Sequence, residues 1–447
     1  MGNKCVVENH NQRQVAAFST YLKELRTIIH EPNINRAVVD NHSKLHSLLN
    51  GKASTFLQQT VPIAIRKDSG IFFTRHDLAY QVASKISHLL SLGRKVVDPA
   101  CGAGDLLLAC ANHLPMGTTL EETISIWSDL IVGYDLYEEF VDAAKLRLGI
   151  LAAIKCNDTR NIENILTQNG IFPGLRVGNL LALNTMGEHT DCIVVNPPFG
   201  NCIAPGDCEW AGGKVQKAGV FFEIIMNATR NGQNIVAILP DVLRSGSRYE
   251  NWRKIISGLS SSISIELKGR FDKEVDVDVF LLQAIRGRGT RQIDWINSNI
   301  KMKRRNGSVS DHFDVHVGPV VPYRDPREGP KHPYIHARTA LGWATLNNIK
   351  DERQYKGSLF KPPFVVVHRT SSPSDRNRCV GTIVTGNRKV AVENHLIVLC
   401  PKDKSLQRCR ELIEIFRCPR TNEWLNKRIC CRHLTVSAVK ELPWWRL

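Results

Sequence analysis

The sequence predicts a doubly wound α/β sheet, preceded by a short helical segment and followed by a smaller α+β domain. Three observations carry that expectation. Short apolar runs alternate with amphipathic ones from Lys95 to Leu239, the pattern of strands that each return through a helix. The length, 447 residues, exceeds one ordinary domain. Charge is also uneven: residues 301–447 hold 28 of the 59 Lys and Arg but only 13 of the 43 Asp and Glu.

Residues 1–60 show helical spacing in Phe18, Leu22, Leu25, Ile28 and Ile29. Asp77 reads as an N-cap for a helix whose apolar face is Leu78, Val82, Ile86, Leu89 and Leu90. Strand Lys95–Asp98 leads into helix Leu106–Ala111, and strand Leu130–Tyr134 into helix Tyr137–Leu148. Gly178 ends a further strand. Cys192–Val195 and Ile235–Leu239 are strands of the buried type, with a helix near Val220–Thr229 between them. Ile263–Leu267 and Val275–Gln283 read as a closing antiparallel pair, and Arg286–Arg305 as a linker. Proline-interrupted segments follow, with strands at Phe364–Val367 and Val380–Val384 and a helix at Leu406–Phe416. The expected domains are therefore 1–60, 61–295 and 306–447.

Composition narrows the functional classes. Hydrophobic residues make 43% and charged residues 23%, the balance of a soluble globular chain. No apolar run approaches the roughly 20 residues that span a bilayer, and Met1–Arg26 does not read as a signal peptide. The 13 cysteines lack C-x-x-C spacing, so no metal site is expected, and reduced thiols in the cytoplasm are the simpler reading. A nearly neutral body with a basic final third points to a polyanion, nucleic acid before membrane. A merely solvated basic surface is the plain alternative.

In an open α/β sheet the ligand lies beyond the C-terminal strand ends, and the motifs fall there. Asp98-Pro99-Ala100-Cys101-Gly102-Ala103-Gly104 is a glycine turn between strand and helix, where backbone can approach a ligand closely. The acid at Asp98 disfavours a phosphate and suits an amine, such as the methionine end of a sulfonium cofactor. Asp135 ends the second strand and suits two ribose hydroxyls; a helix N-cap is its alternative. Asn179 could meet an adenine edge.

Asn196-Pro197-Pro198-Phe199 ends a buried strand. Two prolines remove donors and stiffen the turn. The Asn196 amide oxygen and the Pro197 carbonyl can then accept both hydrogens of an amine, turning its lone pair toward a methyl donor. Phe199 would stack on the ring bearing that amine. Positioning and polarisation suffice, because a cationic leaving group already makes the methyl electrophilic. A rigid corner with a core Phe is the structural alternative.

Motif order and content resemble the gamma class of adenine-N6 DNA methyltransferases, the Taq-type amine methylases of restriction–modification systems, from about Ile71 to Trp445. The resemblance implies a Rossmann-like sheet dependent on S-adenosylmethionine. It implies cofactor contacts at Thr74, Asp98, Ala100, Gly102, Gly104, Asp135, Leu136, Asn179, Asn196 and Phe221. It assigns catalysis to Asn196, Pro197, Pro198 and Phe199, and a sandwich of the target base to Phe199 with Phe271. That base must swing out of the duplex, because its amine is inaccessible in the stack. Asn179 stands where many members have Asp, and Arg75 where Pro is commoner.

Residues 306–447 resemble the target-recognition domain of such enzymes, by Phe364–Arg369, Cys430–Thr435 and Leu442–Trp445. Arg369, Arg376, Arg378, Arg388, Lys389 and Arg432 are the candidate DNA contacts; Trp444 and Trp445 are expected in the core. The implied partners are double-stranded DNA and a cognate restriction endonuclease, with the chain a monomer. The rival readings are an RNA, cytosine-amine or protein-glutamine methyltransferase, and a catalytically silent DNA-binding subunit.

Overall fold

The computed structural model describes residues 18–30, 49–63, 66, 72–158, 165, 170–179, 190–272, 277–289, 293–296, 307–430 and 432–445. The chain forms two compact units: residues 1–243 with 250–293, and residues 244–249 with 294–447.

The first unit is built on a seven-stranded sheet. Its strands are β1 (Val96–Asp98), β2 (Ile131–Asp135), β3 (Leu175–Val177), β4 (Cys192–Val195), β7 (Asn234–Pro240), β8 (Ser260–Arg270) and β9 (Asp278–Arg286). The order is β3-β2-β1-β4-β7-β9-β8, parallel except where β9 runs antiparallel to both β7 and β8. A two-stranded hairpin, β5 (Asn201–Ile203) and β6 (Lys214–Gln216), lies outside it. The order reverses between β1 and β4, which creates a topological switch point and hence a crevice. The strand β4 shows why the sheet is stable: all four of its side chains are buried. Ile193, Val194 and Val195 each contribute roughly 1.5–3 kcal/mol on burial.

The helices of this unit are α1 (Ser19–His30), α2 (Lys52–Thr60), α3 (His76–Ser84), α4 (Ser87–Ser91), α5 (Asp105–Ala111), α6 (Leu120–Leu130), α7 (Glu138–Cys156), α8 (Lys217–Ala228) and α9 (Glu250–Gly258). The described part of residues 1–60 lies in this unit, with Phe18 packed on Phe140 of α7 at 5.0 Å between ring centroids. Two local expectations need correction. The helix expected over 78–90 is broken between α3 and α4. Its N-cap is Arg75, with Asp77 inside the first turn. There the carboxylate complements the helix dipole, and it also pairs with Arg75 at 3.1 Å. The linker begins later than expected, because Arg286 ends β9 and its guanidinium donates to the Met226 and Leu259 carbonyls. Linker residues 290–292 and 297–305 lie outside the described residues, as do Leu180, Lys273 and Cys431.

The second unit has a five-stranded sheet of β10 (Phe313–Val317), β17 (Leu396–Pro401), β14 (Phe364–His368), β15 (Gly381–Val384) and β12 (Thr345–Leu346), in that order. Only the β12–β15 pair is parallel. A smaller sheet has the order β13 (Glu352–Gln354), β11 (Lys331–Ile335), β16 (Ala391–Val392). Alternation along β14 and β17 splits the core: Val365, Val367, Ile397 and Leu399 face one cluster, and Phe364, Val366, Leu396 and Val398 the other. Helices α10 (Leu406–Arg417), α11 (Pro419–Arg428) and α12 (Val436–Glu441) cover the first of these faces. Trp445 is buried there and its indole donates to Thr421 at 2.9 Å. Residues 244–249 belong to this unit through bonds such as Arg428 to the Ser245 carbonyl, 3.3 Å.

Candidate active site

Three strand ends of the first unit supply the chemistry. At the end of β1, Asp98 is buried and accepts from the Ala100 N–H at 3.0 Å. Burial pushes its carboxyl up to about 8, against the pull of that N–H, and the charges of Asp135 and Asp105 raise it further. Such a carboxyl favours a cationic partner that restores its charge. The turn beyond it has left-handed backbone at Gly102 (φ 51°) and Gly104 (φ 85°). A Cβ would stand 3.0 Å from Phe73 at the first and 2.9 Å from Ala144 at the second. Both glycines are therefore required by conformation and by space. Ala100 is half-buried on the same turn.

At the end of β2, Asp135 accepts from the N–H groups of Gly102 (3.0 Å) and Tyr137 (3.1 Å). It fastens the glycine turn and the entry to α7 at once, while the N-cap of α7 itself is Tyr137. Burial pushes it up to about 6, opposed by the Tyr137, Gly102 and Leu136 N–H groups. A carboxylate offers about four acceptor positions, so capacity for ribose hydroxyls is left. Beside it Leu136 is 62% exposed, and Val177 at the end of β3 is 53% exposed. Two large apolar side chains open at adjacent strand ends suit the face of a nucleobase. Sequence reasoning missed Val177; its signal was a bulky apolar residue at a strand end, followed by Gly178. Asn179 is exposed two residues beyond β3, and Phe221 is half-buried on α8.

At the end of β4, Asn196 is fixed by its amide. Its Nδ2 donates to the Phe72 carbonyl (3.2 Å) and to Thr74 Oγ1 (3.0 Å). The carbonyl of Phe72 can only accept, which sets the amide orientation. Its Oδ1 is buried and without a partner. Leaving a buried acceptor unpaired costs about 1–3 kcal/mol. That cost marks a site that another donor completes. Sequence reasoning assigned Thr74 to the cofactor but missed that it orients Asn196.

The aromatic sandwich requires correction. Phe199 and Phe271 are 3% and 1% exposed and meet edge to face, ring centroids 5.0 Å apart. Phe199 is stacked on Phe72 at 6.4 Å. No space for a base separates the two rings, because apolar rings so placed pack on each other. Phe199 or Phe271 must turn before a base can lie between them. Pro197 is buried and Pro198 half-buried in the corner.

In the second unit the candidate cations separate sharply. Arg378 is 2% exposed. It donates to the Ser371 and Leu425 carbonyls, to the Ile429 carbonyl at 2.5 Å and to Asn426 Oδ1 at 3.3 Å. This is a correction: it holds its loop to α11 and cannot reach a duplex. Arg369 is half-buried, with Nη1 on the Asn394 carbonyl at 3.0 Å. Arg376, Lys389 and Arg432 are exposed. Arg388 is exposed and pairs with Glu352 at 3.0 Å.

The first unit thus has a doubly wound α/β fold, with a buried amide acceptor and a glycine turn at its strand ends. The chain resembles MmeI, a Type IIL restriction–modification enzyme solved in complex with DNA, at TM-score 0.53 and 12% identity over 88% of this chain and 70% of that one. It also aligns with the Type IIG restriction endonuclease BpuSI (TM-score 0.46, 12% identity, 88% of this chain and 61% of that chain). A third alignment is to a modification subunit of a putative type I restriction enzyme from Vibrio vulnificus YJ016 (TM-score 0.35, 21% identity, 53% and 49%). The chain therefore spans about three fifths of BpuSI and about half of the Vibrio subunit. No curated protein sequence matches it. Residues 51–257 match the family model described as N-6 DNA Methylase. Among the described residues no helix is long and apolar enough to cross a membrane.

Proposed function

We propose that the protein is a site-specific DNA methyltransferase that moves the methyl of S-adenosylmethionine to the N6 amine of an adenine swung out of the duplex. The observation that carries this reading is the buried, unpartnered Oδ1 of Asn196, held in place by Thr74 and the Phe72 carbonyl. An exocyclic amine donates one hydrogen to that oxygen and the other to the Pro197 carbonyl. Both bonds strengthen as the nitrogen gains positive character, so they favour the transition state over the ground state. When bound, the cofactor supplies an electrophilic methyl on a sulfonium. Asp98 faces its ammonium group, Asp135 its ribose, and Leu136 with Val177 its adenine. The extra proton on the methylated nitrogen passes to solvent, since a cationic amine is acidic enough to need no dedicated base.

Phe199 and Phe271, once apart, hold the base between them. Arg369, Arg376, Arg388, Lys389 and Arg432 position duplex DNA through its phosphates. The chain acts as the modification enzyme of a restriction–modification system, as a cytoplasmic monomer, with cleavage left to a cognate endonuclease. The test is incubation with labelled S-adenosylmethionine and plasmid, followed by modification-sensitive sequencing. N6-methyladenine at one short motif is expected. Label on cytosine, on RNA or on protein, or no label at all, overturns the reading.

A further inference from the structure

The glycine turn is gripped from behind by a buried arginine. Arg147, on α7, is wholly buried. Its guanidinium donates to the Ala103 carbonyl, pairs with Asp105 at 2.7 Å, and donates to the Leu49 carbonyl at 2.5 Å. Ala103 and Asp105 flank Gly104, whose N–H closes the turn on the Cys101 carbonyl at 2.8 Å. The same helix α7 supplies Ala144, the atom group that Gly104 must be small enough to approach.

A buried guanidinium is expensive to desolvate, and apolar residues often stabilise as well in its place. What Arg offers instead is a rigid fork that grips two carbonyls and a carboxylate together. Leu49 lies just ahead of α2, so the fork also ties the N-terminal helices to the turn. One further contact repeats that tie, and a second fastens α2 to the residue after Phe271. Phe18 packs on Phe73 at 5.8 Å, and Phe73 is the ring against which Gly102 lies. Gln58 Nε2 donates to Asp272 at 3.4 Å, next to Phe271.

We propose that Arg147 is a positioning residue for the glycine turn, and that through it the N-terminal helices α1 and α2 form the back wall of the cofactor pocket. The proposal rests on the reading of that turn as the S-adenosylmethionine site. It gives the described residues 18–30 and 49–60 a part in the reaction.

The test compares full-length Arg147→Met, Arg147→Lys and Asp105→Asn with the wild type. Calorimetry gives the Kd for S-adenosylmethionine, steady-state kinetics separate cofactor KM from kcat, and amide exchange is followed at residues 100–105 without ligand. In R147M the cofactor Kd and KM should rise on the order of tenfold with kcat little changed, the effect of a small misplacement of a binding group. Exchange in the turn should quicken, and R147K should restore part of both. D105N keeps the carbonyl grips, so it should lie between and serves if the Arg147 variants do not fold. Lower thermal stability with unchanged cofactor Kd and unchanged turn exchange would show a structural role alone and overturn the proposal. If the wild type itself binds no S-adenosylmethionine, the reading of the site falls; unchanged exchange at 100–105 would then still overturn the clamp.

Discussion

In the first unit, Asn196 ends a strand whose four residues are all buried. In the second, Arg378 sits in the loop between β14 and β15 and is itself buried. Both are polar residues with their hydrogen bonds made by the chain, yet they teach opposite things. Asn196 keeps one acceptor, Oδ1, without a partner, while the Arg378 guanidinium is spent on three carbonyls and an amide oxygen. A strand end at a topological switch point delivers its residue to a crevice whatever the neighbours do. A loop delivers its residue wherever the adjoining helix has unsatisfied carbonyls.

That contrast can be broken by substitution. The largest effect is expected from Asn196→Ala, which should lower kcat about 10²–10³-fold while cofactor affinity stays near wild type. Near-normal turnover would remove Asn196 from the chemistry. Next, Arg378→Ala should destabilise the second unit by about 3 kcal/mol, since it strands several buried carbonyls. The neighbouring exposed Arg376→Gln should leave stability alone and reduce the salt dependence of duplex binding by about one unit of slope. Denaturant midpoints and salt titrations of DNA affinity read the two variants together. Were R378A to lose DNA affinity at wild-type stability, the burial argument would fail.

A smaller effect concerns pH. Asp98 is raised to about 8 and Asp135 to about 6, above the roughly 4 of an unfolded Asp. The native chain thus holds protons that the unfolded chain has released. The stability this gives is complete below about pH 4 and is lost as pH rises through 6 and then 8. Without ligand, Tm should fall between about pH 5 and 8.5, and by less in Asp98→Asn. Equal slopes in the two proteins would mean that Asp98 is already ionised.

Much of the first unit was legible because local rules and the fold agree there. Cys192–Val195 is apolar throughout and bounded by turn residues, so its strand stands where the pattern put it. The left-handed turns at Gly102 and Gly104 follow from glycine's conformational freedom. Asp77 was less legible, since an acid one or two residues inside a helix start serves the dipole as well as a cap would. The closure of Phe199 on Phe271 was not legible at all. Stacking residues are recognised by type, but whether two rings part or touch depends on what lies between them.

The sequence by itself determined the strand–helix alternation, the glycine turn, the stiff Asn-Pro-Pro corner and the basic C-terminal third, because each follows from backbone preference or net charge. Only the tertiary structure decided that residues 244–249 join the second unit, that Arg378 is interior and that Arg147 ties Leu49 to the glycine turn. These depend on which unsatisfied carbonyls lie within reach of a long cationic side chain. Contacts 98 residues apart for Arg147 and 51 for Arg378 leave no trace in local spacing, since the partner is a backbone atom that every residue carries.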